Sequence, residues 1–469
     1  MKLPIPNREY HQRPENYKEY VIRPDNISDY EFSVSLKENQ IPVPEFKNGR
    51  ELRSYQVEGL NWLRKCWYEH KSSILADEMG LGKTAQSVVM VNDLFKLGFR
   101  GPFLVVAPLS TLMQWEREFE NWTDLNVVLF SGGPQQREII TEYELYYRDN
   151  KDVCKFEVML LNYEKFIKED VFELINSFTW EYLVVDEAHK LKNHKKKIYG
   201  LLESLKVRHK LLLTGTPNQN RLSEFWSLLH FIEPQIFNNL DEFIEKYDSS
   251  PDDSEEFKVS QMEKLKNEVI NKYMLRREKK EVEHSIGEKE ERIVEIELTK
   301  TQKKLYEYLI VVDIALSQKN NAYTFNFQSG TNFVMQLRKI CNHPALFDEK
   351  GGWTNFIDPS EDNKDNLYQR LINTSGKLIF LEKLLEKLKK EKAKILIFSQ
   401  MTNLLDILEE FCTYKKYKYE RIDGSVTGNQ RQRAIDSFNS NPDVFIFLLC
   451  TRAGGTGLNL TAGNTVIIY

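Results

Sequence analysis

Two short stretches of this sequence place charged, hydroxyl and glycine residues at spacings that phosphate chemistry uses. The first is Asp77-Glu78-Met79-Gly80-Leu81-Gly82-Lys83-Thr84. Its glycines allow a tight turn whose backbone N–H groups face one centre, and Lys83-Thr84 opens the segment that follows. Such a turn cradles phosphates with amides and the positive end of a helix. Lys83 would neutralise the β/γ charge, and the Thr84 hydroxyl would ligate Mg²⁺. The strict pattern has glycine where this chain has Asp77, so an incidental lysine at a glycine-rich helix entry stays open at this point. The second stretch is Asp186-Glu187-Ala188-His189, directly after the apolar run Leu183–Val185. An acid at the carboxyl end of a parallel strand faces the crevice where ligands bind. Asp186 is placed to hold Mg²⁺ through water, and Glu187 to orient and deprotonate an attacking water. An acidic surface turn is the bland alternative. The presence of both stretches about a hundred residues apart favours the functional one.

Other candidates depend on these two. Thr214 and Thr216, in Leu211-Leu212-Leu213-Thr214-Gly215-Thr216-Pro217, end a strand where hydroxyls could sense the phosphate state. A plain turn would look the same. Gln56 precedes the first helix and could pair with an adenine edge. Further on, Thr451-Arg452-Ala453-Gly454-Gly455-Thr456-Gly457 brings three glycines within four residues. They permit close approach to a phosphate of either nucleotide or nucleic acid. Cys341-Asn342-His343-Pro344 lacks the further ligands of a zinc site and reads as structural. The run His194–Lys197 reads as a solvated loop.

The elements that must position these residues are legible as short apolar runs between amphipathic segments. The runs are Ile74–Ala76, Leu104–Ala107, Val127–Phe130, Val158–Leu161, Leu183–Val185 and Leu211–Leu213, and the segment Ala85–Leu97 reads as a helix. Runs of this kind predict a buried parallel sheet built from βα units. A second α/β pattern follows: a helix over 377–392, then strands at Lys394–Phe398, Glu420–Ile422, Val444–Leu449 and Thr465–Tyr469. The fold class is therefore α/β with two parallel-sheet lobes. The expected organisation is a tail over 1–48, a first lobe over 49–235, a helical linker region over 236–370 and a second lobe over 371–469. The tail could lie over the body through Tyr17, Tyr20 and Tyr30. Leu305, Tyr308, Leu309, Val312 and Leu316 predict a packed helix outside the sheets. The stretches 249–256 and 348–366 read as loops, the latter flexible.

Composition bounds the function without choosing it. The 469 residues carry 65 basic and 70 acidic side chains, a formal charge of −5, so nucleic-acid contacts would be local patches rather than a global field. Five scattered cysteines make neither a CxxC nor a disulfide framework. There is no leader-like apolar segment and no run of about 18 apolar residues, which points to a soluble protein of a reducing compartment.

Taken in order, Gln56, Asp77–Thr84, Ala107–Thr111, Asn162-Tyr163-Glu164, Asp186–His189, Thr214–Pro217, Phe398–Met401 and Arg452–Leu460 resemble the motifs of superfamily-two helicase-like ATPases of the SWI/SNF type. The likeness spans about residues 50–469, and Asp77 belongs to this group's own version of the phosphate loop. Gly101–Leu104, Trp115–Phe119, Tyr419–Gly424 and Phe447–Arg452 resemble the chromodomain-helicase-DNA-binding (CHD) branch, with the Kismet-like subfamily nearest. The resemblance implies two RecA-like lobes that close over ATP and Mg²⁺, with ATP hydrolysis driving translocation on double-stranded DNA. Nucleosomes in the nucleus would be the target, with histones and remodelling-complex subunits as partners and no membrane. It assigns Gln56, Asp77, Glu78, Met79, Gly80, Leu81, Gly82, Lys83, Thr84, Gly455 and Gly457 to the nucleotide. Catalysis falls to Lys83, Asp186 and Glu187, and the metal to Thr84 and Asp186. DNA contacts would come from Ser110, Thr111, Trp115, Tyr163, Ser399, Gln400, Thr451 and Arg452, with His189, Thr214 and Thr216 coupling the two activities.

Three departures accompany the resemblance. Asn218 follows Pro217 where the family has leucine, Thr456 stands where leucine is common, and the chain stops at Tyr469 before the segment that carries the family's arginine finger. Such a finger supplies roughly 10³–10⁵-fold in rate. The expectation is thus a chain that binds nucleotide but hydrolyses it weakly by itself. The alternative is a truncated, hydrolysis-deficient nucleotide- and DNA-binding scaffold.

Overall fold

The computed structural model describes residues 46–99, 101–147, 150–215, 222–248, 255–282, 289–319, 330–347, 352–362, 366–426, 428–451 and 458–469. Tyr17, Tyr20, Tyr30, Thr216, Arg452, Gly455 and Gly457 lie outside them. The chain divides into two compact units, residues 1–288 and 289–469.

The first unit is built on strands β1 (Ser73–Leu75), β2 (Phe103–Ala107), β3 (Val127–Leu129), β4 (Val158–Asn162), β5 (Trp180–Val185), β6 (Val207–Leu213) and β7 (Met274–Leu275). They form one sheet in the order β3-β4-β2-β5-β6-β1-β7, and every pairing is parallel. Alternation sends Leu104, Val106, Met159, Leu161, Leu183 and Val185 into one core and Phe103, Val105, Val158, Leu160, Tyr182 and Val184 into another. Helices α1 (Ser54–Tyr68), α2 (Lys83–Lys96) and α3 (Leu112–Trp122) cover the second face with Leu60, Leu63, Val88, Val91, Trp115 and Phe119. Helices at Lys197–Glu203 and Leu222–Ile232 cover the first. Two covered faces explain the continuous apolar runs, since each buried Val, Leu or Ile contributes roughly 1.5–3 kcal/mol.

All six expected strands are present. The seventh was unforeseen. A first lobe ending at 235 omits β7, which pairs Ile74 with Met274 and Leu75 with Leu275 at the sheet edge. Met274 and Leu275 are therefore part of the first sheet, in a strand too short to show a period.

The second unit carries a four-stranded parallel sheet of β8 (Ile395–Ser399), β9 (Tyr419–Ile422), β10 (Ile446–Cys450) and β11 (Thr465–Ile468), in the order β9-β10-β8-β11. Its faces are filled by Leu378, Leu381, Leu404 and Leu408 on one side and Ala434, Ile435 and Phe438 on the other. The helix expected around Leu305 and Leu309 spans Lys300–Lys319 and packs Leu305 and Leu309 with Ile340. The loop expected to be flexible over 348–366 is anchored in its described part. The Glu361 carboxylate accepts from the Lys300 and Thr301 N–H groups at 2.9 and 3.1 Å, capping that helix. His343 is fully buried, with one ring nitrogen accepting from the Ala345 N–H and the other 3.0 Å from the Leu371 carbonyl, so it is structural. All five cysteines are free. Among the described residues no helix is long and apolar enough to cross a membrane.

Candidate nucleotide site

Parallel pairing in register brings the carboxyl ends of β1, β2, β4, β5 and β6 to one edge of the first sheet. Leu75 lies opposite Leu213, Val106 opposite Val185, and Ala107 opposite Asn162. The segments beginning at Asp77, Pro108, Tyr163, Asp186 and Thr214 all leave from that edge. The sequence-predicted acids, lysine and hydroxyls of the first lobe are thus assembled by the fold rather than by neighbourhood in the chain.

The loop from Asp77 to Gly82 turns from β1 into α2. Gly82 adopts φ 77°, ψ 38° just before the helix, a left-handed conformation that a side chain resists, and a Cβ there would lie 2.3 Å from Gln56 Nε2. Lys83 opens the helix and bends its amine back over the loop, donating to the Asp77 carbonyl at 2.7 Å. Burial pushes that amine below its ordinary pKa, while Asp77, Asp186 and Glu187 pull it back. Thr84 follows within the first helical turn, half-buried.

Asp77 is fully buried, and its partner is Arg277, two residues past β7. Arg277 Nε donates to Asp77 Oδ1 at 3.0 Å and Nη2 to Oδ2 at 2.5 Å, a bidentate pair. Arg277 also reaches the Tyr55 carbonyl and Gln86 Oε1, and Gln86 Nε2 returns to Asp77 Oδ2 at 3.2 Å. Gly59 makes the room: a Cβ there would lie 2.0 Å from Gln86 Oε1 and 2.7 Å from Arg277 Nη2. This network gives a physical reason for aspartate where the strict motif has glycine, because the loop is clamped from beneath by a buried ion pair. Gln56 belongs to the same clamp. Its Oε1 accepts from the Arg53 N–H at 3.0 Å and its Nε2 donates to the Leu81 carbonyl at 3.3 Å. The amide thus supports the phosphate loop, and a contact of Gln56 with adenine remains an expectation.

Asp186 and Glu187 occupy different environments. Trp115 Nε1–H donates to Asp186 Oδ2 at 2.9 Å, and the Tyr163 hydroxyl donates to the Asp186 carbonyl. Burial raises the Asp186 pKa against the lowering effect of the Trp115 bond. Glu187 is lowered, first by its hydrogen bond with His189, whose Nδ1 lies 3.0 Å from Oε2. Its backbone takes φ 51°, ψ 49°, a left-handed conformation uncommon outside glycine and often found at functional turns. Thr214 is buried, with its N–H on the Leu75 carbonyl at 3.2 Å.

The side chains expected at DNA differ in exposure and partners. Trp115 and Tyr163 are 1% and 3% exposed. Their polar atoms are committed to Asp186, and Lys190 lies 4.3 Å over the Tyr163 ring. Both bond to the acidic strand end, and a contact of either with DNA is an expectation. Thr111 is also buried, its hydroxyl on the Pro108 carbonyl, and Ser399 is buried with its hydroxyl bonded to Met401. Ser110 and Thr451 are half-buried, and Gln400 is exposed, accepting from Arg338 at 2.6 Å. In the second unit Ser399 lies opposite Cys450, so the segments at Gln400 and Thr451 leave adjacent strands at one level.

The donor set suits Mg-nucleotide. No group of three or more His, Cys, Asp or Glu forms a metal cage among the described residues. Mg²⁺ typically uses one or two protein oxygens with water and phosphate, and the carboxylate of Asp186 with the hydroxyl of Thr84 matches that need. Sequence reading missed Arg277, Gln86 and the role of Trp115. The one available signal was the Arg276-Arg277 doublet after the apolar triplet Tyr273-Met274-Leu275.

Two all-parallel sheets, the first with a lysine-bearing phosphate loop beside an acidic strand end, define a RecA-like α/β protein. Residues 55–346 match the SNF2-related domain and residues 376–469 the helicase conserved C-terminal domain. The chain belongs to the SNF2-related family. It is 43% identical to chromodomain-helicase-DNA-binding protein 8 of Danio rerio over 91% of its length, and 44% identical to chromodomain-helicase-DNA-binding protein 9 of Homo sapiens over 91%. It spans 17% and 15% of those relatives. A solved structure, the Sulfolobus solfataricus SWI2/SNF2 ATPase core in complex with dsDNA, is 26% identical, with a TM-score of 0.47 over 91% of this chain and 83% of that one.

Proposed function

We propose that this chain is the ATP-hydrolysing core of a double-stranded DNA translocase that remodels nucleosomes in the nucleus. The observation that carries the reading is the convergence of the Asp77–Thr84 loop and the Asp186–Glu187 pair on one sheet edge, with Lys83 close enough to feel both acids. Loop amides and Lys83 bind the phosphates, and Asp77 with Arg277 keeps the loop in shape. Thr84 and Asp186 would hold Mg²⁺, which when bound neutralises phosphate charge. Glu187, ionised and steadied by His189, orients the attacking water. His189, Thr214 and Thr216 relay the nucleotide state. Duplex DNA is the proposed polyanion, met at Ser110, Gln400, Thr451 and Arg452. Local contacts of this kind suit a chain of net charge −5. Histones and remodelling-complex subunits are proposed partners.

ATP hydrolysis by the intact protein, with and without duplex DNA or nucleosomes, tests the reading. Stimulation by DNA is expected, and its absence would refute the proposal. Lys83→Ala should weaken nucleotide binding. Glu187→Gln should keep binding and lose about 10²–10⁴-fold in turnover. Normal turnover in Glu187→Gln would remove its assigned role.

A further inference from the structure

The segment after β7 does more than supply Arg277. Ala76 N–H donates to the Leu275 carbonyl at 2.7 Å, and Glu78 N–H to the Arg277 carbonyl at 2.9 Å. Lys279 N–H then donates to the Glu78 carboxylate at 2.7 Å. The ladder of the edge strand thus runs on past the sheet and alongside the phosphate loop. Lys279 is carried to the top of that loop as a result. A Cβ on Gly80 would lie 3.2 Å from Lys279 Cε and 3.3 Å from Nζ, so the half-buried side chain lies directly over the glycine.

The carboxylates around Lys279 are engaged by backbone N–H groups and by Arg276 rather than by its ammonium. One oxygen of the Glu78 carboxylate, Oε2, accepts from the Lys279 N–H. Glu281 accepts from the Glu278 N–H at 2.9 Å, and Glu278 lies 3.9 Å from Arg276. Among the described residues the Lys279 ammonium forms no ion pair. Its charge instead opposes that of Lys83 across the same loop. Two cations set over the same loop repel, and a polyphosphate between them turns that repulsion into attraction to both.

We infer that Lys279 is a second phosphate-binding cation of the nucleotide site, delivered to the loop from about two hundred residues downstream and selective for the triphosphate over the monophosphate. The inference rests on the ATP reading of the loop. It gives the clamp two tasks: Arg277 fixes the loop from beneath, and Lys279 closes on the phosphates from above.

The test is the dissociation constant of fluorescent mant-ATP and mant-AMP for the intact chain and for Lys279→Ala, Lys279→Arg, Lys279→Glu and Lys83→Ala. Lys279→Ala should weaken mant-ATP about 5–20-fold, the range for a partly solvated charge-assisted hydrogen bond, and change mant-AMP less than about twofold. Lys279→Arg should restore most of the affinity, and Lys279→Glu should lose more than Lys279→Ala. The mant-ATP affinity of Lys279→Ala should also fall less steeply with added KCl than that of the unaltered chain. If Lys83→Ala loses mant-ATP while Lys279→Ala and Lys279→Glu keep it, the inference falls and the ATP reading stands. If the unaltered chain does not bind mant-ATP at all, both fall together.

Discussion

Asp77 carries its charge into a fully buried position, where Arg277 and Gln86 are its side-chain partners. A buried ion pair adds little net stability, because desolvation cancels most of the attraction, but breaking it from one side strands a charge. Arg277→Ala should therefore cost about 3–5 kcal/mol in chemical denaturation. Adding Asp77→Gly to Arg277→Ala should recover a substantial part of that loss. A double-mutant cycle should show coupling of about 1–3 kcal/mol. Additive effects of the two substitutions would mean that the pair is not the clamp described. Trp115 and Tyr163 make the same point about residue type. An aromatic residue beside a site motif can act on an acid, as the Trp115 Nε1–H does on Asp186 at 2.9 Å.

The elements impose their own constraint, visible at His209. It lies on β6 opposite Tyr182 of β5, with the rings stacked at 5.0 Å. Burial, with a smaller push from His70, lowers its pKa from 6.5 to about 3. The unfolded chain therefore binds a proton between those values that the folded sheet refuses. This contribution to stability is full above about pH 6.5 and is lost as pH falls toward 3, at up to ~1.4 kcal/mol per pH unit. His209→Phe keeps the stack without the titration. Its denaturation midpoint should match or exceed that of the unaltered chain at pH 7, and its stability should be about 2 kcal/mol higher at pH 5. Equal acid sensitivity of the two proteins would show that His209 is not the source. His343, lowered to about 4 in the second unit, leaves a residual slope of the same sign.

For the whole molecule, the consequential element is the two-residue strand β7. A piece covering 46–288 includes it, and a piece ending at 235 does not. The longer piece should unfold cooperatively and bind mant-ATP. The shorter one should melt lower and bind weakly, since it bares the edge of β1 and leaves Asp77 without Arg277. Equal melting temperatures and affinities would show that the sheet is complete without β7. Apolar runs and residue spacings in the sequence were sufficient for the six long-patterned strands of the first sheet, the four of the second, the phosphate loop and the acidic strand end. These are local signals, written by continuous runs of side chains that are buried on both faces of a sheet. The sequence could not show that Asp77 meets Arg277 200 positions away, or that Trp115 meets Asp186 71 positions away. Those pairings depend on which strand occupies which place in the sheet. A strand of two residues has no period to announce it, so only the tertiary structure decided what holds the loop.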